Sequence, residues 1–297
     1  MSTKKITKKI LVIGGSGFMG SHTADALTQR GASVSILDKV KSPWLNGNQK
    51  MIVGDAMNFD ILNSSMKGID CVYYFAGIAD IAEAKLKPYH AIEINIMGLT
   101  KALESAVSNN VKQFIYASTM YVYSSYGSFY RASKQAAEII IETYCDEYKL
   151  NYVFLRYGSL YGPRSQDWNG IKKFAKQIVE NNYVEYSGDG SEVREYIHVE
   201  DAAKLSVQIL DNSYKNQAIT ITGQQTMRVS DMFSMLFEIE GKELNVKYKN
   251  SHNSFSHYGN TPYRYAPKKA TKIIPTEFID LGQGLLNVIE EIHQDNG

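Results

Sequence analysis

The sequence predicts an α/β fold: a doubly wound parallel sheet with a smaller C-terminal α/β domain. Short, continuously apolar segments alternate with amphipathic segments through the first half of the chain, as in strands covered by helices. The first apolar segment runs directly into a glycine-rich turn between residues 14 and 20. With 297 residues, 44% of them hydrophobic, the chain can form one large α/β unit and a smaller appended part.

Six apolar segments are predicted as strands because they show little polar alternation, which indicates burial on both faces. They read KKILVI, ASVSILD, QKMIVGD, DCVYYFAG, KQFIYAST and NYVFLRYG. Amphipathic periodicity between them predicts helices over 19–30, 60–67, 90–109 and 132–148. Strand–helix–strand alternation of this kind specifies a doubly wound sheet.

The pattern changes after Gly162-Pro163, where loops lengthen and polar residues become denser. Three further helices are predicted in IKKFAKQIVENN, VSDMFSMLFEIEG and GQGLLNVIEEIHQ, while residues 250–275 lack periodicity and are expected to be irregular. We therefore predict a first domain over 1–160 and a second over 161–297. Strands within about 193–222 are expected to return to the first sheet.

Composition narrows the class of protein. The formal net charge is +1, so no overall field favours nucleic acid or an anionic membrane as a partner. The apolar run 10–13 is too short for a signal peptide core, and no stretch approaches the ~18 apolar residues of a membrane span. Cys71 and Cys145 are interpreted as buried thiols of a reducing compartment. We expect a cytoplasmic protein without a metal site, because His252 and His257 lack suitably spaced partners.

The glycine turn predicts a dinucleotide site. Gly14, Gly17 and Gly20 would let the backbone approach a pyrophosphate, which then faces the start of the following helix. Asp38 ends the second strand, where a carboxylate can bind the adenosine ribose hydroxyls and repel a 2′-phosphate. NAD is therefore favoured, although Lys39 and Lys41 could meet a phosphate. Asp55 could bind the adenine amino group or cap the helix that follows it.

Five tyrosines fall in the stretch YASTMYVYSSYGSFYRASK, residues 116–134. Tyr130 and Lys134 are four residues apart and share a helical face, so the ammonium can favour a phenolate that is otherwise a weak base with pKa near ~10. In return, we expect Tyr130 to affect Lys134 only by keeping the lysine protonated. Ser118 and Thr119 end the preceding strand, at the sheet edge where ligands bind. Tyr121, Tyr123 and Tyr126 lack such a lysine and are expected to line the pocket or to cover it as a lid.

Together these motifs resemble the series found in extended short-chain dehydrogenase/reductases, and more narrowly the NAD-dependent nucleotide-sugar epimerase/dehydratase family. The residues that carry the resemblance run in order from 9 to about 205: Gly14-x-x-Gly17-x-x-Gly20, Asp38, Gly54-Asp55, Ala76-Gly77, Asn95, Ser118-Thr119-x-x-Val122-Tyr123, Tyr130-x-x-x-Lys134, Arg156-Tyr157-x-x-x-Tyr161-Gly162-Pro163-Arg164 and Arg194-x-Tyr196-Ile197-His198-Val199-x-Asp201-Ala202. The C-terminal third matches only loosely.

The resemblance implies a Rossmann domain that holds NAD and a smaller domain that binds a nucleotide-diphosphate sugar. It implies that Tyr130 is the base, that Lys134 tunes it and binds the nicotinamide ribose, and that Thr119 bonds the same substrate oxygen. The implied cofactor-binding residues are Gly14, Gly17, Phe18, Met19, Gly20, Asp38, Asp55, Ala56, Phe75, Ala76, Gly77, Ser118, Tyr130, Lys134 and Tyr157. The implied substrate-binding residues are Tyr121, Ser159, Arg194 and Arg264.

Two further roles are assigned with the resemblance. Asn95 is interpreted as a polar anchor of the fold in preference to a group that positions a loop, and His198 as structural. The helical segments 90–109 and 132–148 correspond to those that commonly form a four-helix dimer interface in this family, so a homodimer is expected.

The chain also departs from the family pattern. Met120-Tyr121 replaces the Asp-Glu pair of the sugar 4,6-dehydratases, the linker from Thr119 to Tyr130 is shorter than usual, and Gly158-Ser159 stands where an aromatic residue and Asn are common. The missing acid pair argues against a dehydratase, and the other two changes affect the substrate pocket and leave the redox residues in place. We therefore expect an epimerase that transiently oxidises a sugar hydroxyl. A nucleotide-sugar dehydrogenase or reductase, using NAD or NADP, and a non-catalytic dinucleotide-binding protein are the alternatives.

Overall fold

The structure, a computed structural model, describes residues 5–210, 212–249, 262 and 270–295. Its strands are β1 (Lys9–Ile13), β2 (Ser33–Asp38), β3 (Gln49–Val53), β4 (Cys71–Tyr74), β5 (Gln113–Thr119), β6 (Asn151–Tyr157), β7 (Ser159–Tyr161), β8 (Val184–Ser187), β9 (Val193–His198), β10 (Gln217–Ile221), β11 (Thr226–Arg228), β12 (Val246–Lys249) and β13 (Ala270–Ile273).

The α-helices are α1 (Phe18–Gln29), α2 (Phe59–Ser65), α3 (Ile81–Leu86), α4 (Pro88–Ile92), α5 (Leu99–Ser108), α6 (Ser128–Tyr148), α7 (Gly170–Asn181), α8 (Val199–Gln208), α9 (Val229–Ile239) and α10 (Leu281–Asp295). A π-helix, Glu93–Gly98, joins α4 to α5, and 3₁₀ turns span Met120–Tyr123 and Asn212–Tyr214. The helix predicted over 90–109 is therefore present as a helical run from 88 to 108 whose middle segment is a π-helix, and the helix predicted from 132 begins earlier, at Ser128.

Eight parallel strands form the main sheet in the order β13-β10-β6-β5-β4-β1-β2-β3. Apolar side chains fill both faces: one core packs against α1 and α8, and a second packs against α2, α5 and α6. Burial on both faces explains why the strands read as continuous apolar runs. The predicted doubly wound parallel sheet is confirmed.

A smaller C-terminal layer has its own apolar core of residues from α7, α9 and α10. The region 193–222 divides between the sheets, since β9 pairs with β7 and β11 while β10 joins the main sheet. The expectation of irregular structure over 250–275 is wrong for β13, which pairs in parallel with β10. Residues 250–261 and 263–269, with His252, His257 and Arg264, lie outside the described residues. The domain boundary near 160 remains a prediction.

None of the helices in the described ranges combines the length and apolar composition that crossing a bilayer requires. Cys71 and Cys145 are both free and buried. Burial raises the pKa of each thiol to about 12, so both remain protonated at neutral pH.

Candidate active site

A cleft of about 1160 Å³ opens along the carboxyl edge of the main sheet, between that edge and the C-terminal layer. Its position follows from the topology, because the carboxyl ends of parallel strands meet at the same edge and leave a crevice there. The cleft is lined by every predicted cofactor, catalytic and substrate residue that the structure describes. Their roles remain predictions.

The glycine turn packs so tightly that side chains cannot fit at two positions. A Cβ on Gly20 would lie 2.2 Å from the carbonyl oxygen of Gly14, and one on Gly14, where φ is +82°, would lie 2.6 Å from the Ala76 nitrogen. Gly17 is different: it precedes α1, and a Cβ there would meet only the Gly14 oxygen, at 3.3 Å. No side chain caps α1 and its first turn contains no acidic residue, so its backbone N–H groups suit a pyrophosphate.

Asp38 is held beside this turn. Its carboxylate accepts hydrogen bonds from the backbone N–H groups of Ser16, at 3.0 Å, and Val40, at 3.2 Å. Asp38 lines the cleft at the end of β2, where a carboxylate suits ribose hydroxyls.

Asp55 pairs with Lys39 at 3.2 Å, so the lysine that could have met a 2′-phosphate is engaged by a carboxylate. Asp55 also accepts a hydrogen bond from Met57 N at 2.7 Å. It does not cap α2, because Asn58 accepts from Asp60 N and Ile61 N instead. Of the two interpretations of Asp55, capping of the following helix is therefore wrong.

The predicted catalytic side chains converge where β5 ends and α6 begins. Tyr130 is buried and its ring lies 5.9 Å from the Lys134 Nζ, which donates a hydrogen bond to Ala117 O at 2.8 Å. Thr119 Oγ1 accepts from Tyr121 N at 3.3 Å, which holds the start of the 3₁₀ turn beside the strand end. A hydroxyl, a phenol and an ammonium thus border one part of the cleft.

Lys134 departs from the expectation that it would simply be held protonated. Burial lowers its pKa to about 8, and the Glu138 carboxylate one turn on opposes that effect. The ammonium form still predominates at neutral pH. Its charge is then available to favour a neighbouring phenolate.

The other tyrosines of this stretch differ from one another. Tyr121 lines the cleft and meets the Tyr130 ring edge-on, with 6.0 Å between centroids. Tyr123 is instead buried behind the site, where its hydroxyl contacts Arg156, and Tyr126 is 43% exposed. Neither Tyr123 nor Tyr126 lines the cleft, so the prediction that these two residues line the pocket is wrong.

Asn95 performs the role that sequence reasoning disfavoured. Its side chain accepts from Ile78 N at 2.7 Å and donates to Ile78 O at 3.0 Å, and it also donates to Ser133 Oγ at 3.0 Å. A Cβ on Gly77 would lie 2.7 Å from its Oδ1. Asn95 thus holds the loop after β4 against α6.

Sequence reasoning expected a substrate-binding C-terminal domain but missed several of the residues with which it lines the cleft. Gln166, Trp168, Lys173, Phe174 and Tyr186 all line it, opposite the main sheet. One signal was present: Trp168 is one of two tryptophans and lies in a polar segment, where an exposed indole is typical of a binding surface. Among the described residues, no group of three or more His, Cys, Asp or Glu side chains could hold a metal ion.

Comparison with known proteins agrees with this geometry. The family model described as "NAD dependent epimerase/dehydratase family" matches residues 10–222. A putative UDP-glucose 4-epimerase of Methanocaldococcus jannaschii is 29% identical over 254 residues, which are 76% of this chain and 81% of that protein. A UDP-N-acetyl-alpha-D-glucosaminuronate decarboxylase of Bacillus cytotoxicus is 28% identical over 251 residues, 76% of this chain and 78% of that protein.

Solved structures give the same result. The UDP-glucose 4-epimerase of Thermotoga maritima, crystallised with UDP-glucose, has a TM-score of 0.84 at 25% identity and covers 97% of this chain and 100% of its own. The UDP-glucuronic acid 4-epimerase of Bacillus cereus, in complex with UDP-glucuronic acid and NAD, has a TM-score of 0.81 at 26% identity, covering 96% and 99%. The family resemblance and its dependence on NAD are thereby confirmed. The chain belongs to the NAD dependent epimerase/dehydratase family.

Proposed function

We propose that this chain is an NAD-dependent nucleotide-sugar epimerase that inverts a sugar carbon through transient oxidation of its hydroxyl. The observation that carries the proposal is the convergence of Thr119, Tyr130 and Lys134 in the cleft that also contains the glycine turn and Asp38. When bound, NAD supplies the hydride acceptor and returns the hydride to the other face of the sugar.

The protein side chains supply the proton chemistry. Tyr130, as phenolate, takes the proton of the sugar hydroxyl, and gives it back when the keto group is reduced. Thr119 bonds the same oxygen and fixes its distance from the phenol. The positive charge of Lys134 stabilises the phenolate, and the carbonyl of Ala117 keeps that ammonium in place. Arg194 and Lys173, in the opposite layer, would bind the substrate diphosphate.

The alternative chemistries are less well supported. Met120 is completely buried and has no ionisable group, and Tyr121 is not a carboxylic acid, so the two do not replace the Asp-Glu pair that eliminates water in the dehydratases. A net dehydrogenase or reductase would have to exchange its nicotinamide cofactor at every turnover. A non-catalytic dinucleotide-binding protein would have no need of the tyrosine and lysine that the cleft retains.

Substituting Tyr130 tests the proposal. Purified protein is incubated with UDP-, GDP-, dTDP- and CDP-sugars, and epimer formation is followed by NMR while NADH absorbance is recorded. We expect one or more epimers without net NADH, and a loss of about 10²–10⁴-fold in rate for Tyr130→Phe. Tyr126→Phe is the matched control, since Tyr126 is exposed outside the cleft. An unchanged rate in Tyr130→Phe would refute the assignment, and NADH accumulating with turnover would establish the dehydrogenase.

A homodimer is part of the same proposal. Ile92, Met97, Ile139 and Tyr148 are 41–59% exposed and lie on α4, the π-helix and α6, the segments that the resemblance assigns to a dimer interface. Apolar side chains grouped on neighbouring helices favour a second copy as their partner. Sedimentation velocity should give a dimer for the wild type and a monomer for Ile139→Glu. A wild-type monomer at micromolar concentration would refute the dimer.

A further inference from the structure

An apolar wall borders the reacting end of the cleft. It consists of Ile78, Ile81, Ala84, Ala91 and Tyr121, packed around the ring of Tyr130. Ile78, Ile81 and Tyr121 also line the cleft, so hydrocarbon and aromatic surface faces whatever lies beside the phenol. We call these five residues the apolar wall.

Tyr121 is held rigidly within this wall. Its ring meets Tyr130 edge-on, and on its other side it lies so close to Gly127 that a Cβ there would be 2.7 Å from Tyr121 Cδ1. Gly127 has φ of +99°, which allows the short linker to pass under the ring. The Tyr121 backbone N–H is bound to Thr119 Oγ1, so the main chain is fixed as well. The ring cannot swing away without breaking these contacts.

The loop that carries Ile78 is equally constrained. Asn95 bonds both the N–H and the carbonyl of Ile78, and Asp80 begins α3 by accepting from Ala82 N at 2.8 Å. The wall is therefore preformed and does not depend on substrate to assemble it.

Geometry places sugar substituents against this wall. The reacting carbon must bring its oxygen within hydrogen-bond reach of both Tyr130 and Thr119. Ring neighbours of that carbon, with their substituents, then occupy the space beside Tyr121 and Ile78. A hydroxymethyl, methyl or hydrogen is tolerated by apolar surface, whereas an ionised carboxylate there loses water without gaining a partner.

Nearby charged groups do not offset that loss. Lys134 also lines the cleft, but its ammonium donates to Ala117 O, and the Arg131 guanidinium, which does not line the cleft, donates to Ser124 O at 3.0 Å. Lys85 and His90 line the cleft as well, but so do Asp80 and Glu83, so this side of the cleft carries no excess of positive charge. His90, on α4, pairs with Glu93 at 3.5 Å. Ser128 lines the cleft, but its hydroxyl carries no charge.

We infer that the substrate is a nucleotide sugar whose ring is uncharged, a hexose, N-acetylhexosamine or deoxysugar, and that the apolar wall excludes hexuronates. The inference rests on the proposed function, because it takes Tyr130 as the base. By this inference, the chain has the substrate preference of the similar proteins named for UDP-glucose and not that of the similar proteins named for UDP-glucuronate.

The test compares a neutral sugar with the matching uronate on the same nucleotide. UDP-glucose, UDP-galactose and UDP-glucuronate are used first, then dTDP-glucose and dTDP-glucuronate, and kcat/KM is measured by NMR detection of the epimer. We expect at least about 100-fold preference for the neutral sugar. Tyr121→Ser should narrow that ratio about tenfold by admitting water to the wall, while Tyr121→Phe, which keeps the ring, should leave the ratio unchanged.

The outcomes are distinct. Turnover of the uronate at a rate equal to or above that of the neutral sugar overturns the inference and leaves the epimerase proposal intact. The melting temperature shows whether the Tyr121→Ser protein is folded. If it is folded and its ratio of kcat/KM for the neutral sugar to kcat/KM for the uronate is unchanged, the role of the wall is also overturned. Absence of turnover with every sugar nucleotide, despite bound NAD, overturns the proposed function and the inference with it.

Discussion

Glu138 on α6 and Arg156 on β6 form a buried bidentate ion pair directly behind the candidate active site. The Arg156 Nε donates to Glu138 Oε1 at 2.9 Å and Nη2 donates to Oε2 at 2.6 Å, with both side chains at most 3% exposed. Ser118 Oγ also donates to Oε1, at 2.6 Å, and Tyr123 contacts the guanidinium. The pair thus connects β5, β6, α6 and the 3₁₀ turn, the four segments that position Thr119, Tyr157, Lys134 and Tyr121.

Glu138→Gln should strongly destabilise the fold. Removing the negative charge leaves Arg156 buried without a counter-charge, which costs about 3–5 kcal/mol. Urea unfolding followed by circular dichroism would measure that cost. Glu142→Gln, four residues on in the same helix and only partly buried, should cost under about 1 kcal/mol. The double variant Glu138→Met/Arg156→Met should recover stability relative to Glu138→Gln. Equal stability of Glu138→Gln and wild type would contradict the importance of this pair.

Lys134 should make stability rise with pH in alkaline solution. Because the pKa is about 8 in the fold and 10.5 in the unfolded chain, the unfolded state binds more protons between those values. The cost of burying the ammonium is fully present below pH 8 and is relieved as pH rises towards 10.5, by roughly 3 kcal/mol in all.

The measurement compares urea unfolding of wild type and Lys134→Met at several pH values from 7 to about 10. Wild type should gain stability relative to the variant above pH 8, and other titrating groups cancel in the difference. A constant difference across this range would show that Lys134 is not desolvated in the fold.

Asp38 should control the choice between NAD and NADP. Asp38→Ser removes the carboxylate that is positioned for ribose hydroxyls and would repel a 2′-phosphate, so the affinity ratio should shift towards NADP by at least about tenfold. Isothermal titration with each dinucleotide measures that ratio. Asp60→Asn, which removes a charge from an exposed position on α2 outside the cleft, is the control and should leave the ratio unchanged. A ratio that Asp38→Ser does not alter would remove Asp38 from the cofactor site.

Gly20→Ala should abolish NAD binding or prevent folding. The added Cβ would fall 2.2 Å from the Gly14 oxygen. Because that oxygen belongs to the backbone and cannot rotate away as a side chain could, the turn itself must move. Gly47→Ala is the matched control, because a Cβ there meets no atom within 4 Å. Dinucleotide titration and thermal melting should show loss for Gly20→Ala and wild-type behaviour for Gly47→Ala. Normal binding by Gly20→Ala would refute the close approach of these two backbones.

The sequence by itself determined the parallel sheet and the residues that border its carboxyl edge. These signals are local. Continuous apolar segments indicate strands buried on both faces, glycines indicate a tight turn, and the spacing of Tyr130 and Lys134 indicates a shared helical face. Because parallel strands end at the same edge, local motifs at the ends of β1, β2, β4, β5 and β6 necessarily come together.

The tertiary structure alone decided how those residues are constrained. Pairing of Glu138 with Arg156, the inward turn of Tyr123 and the hold of Asn95 on Ile78 depend on contacts between segments 17 or more residues apart. The lowered pKa of Lys134 and the apolar wall around Tyr130 likewise arise from burial, which is a property of the packed chain. No spacing rule encodes such contacts, because side-chain burial and partner choice are settled only when distant elements pack together.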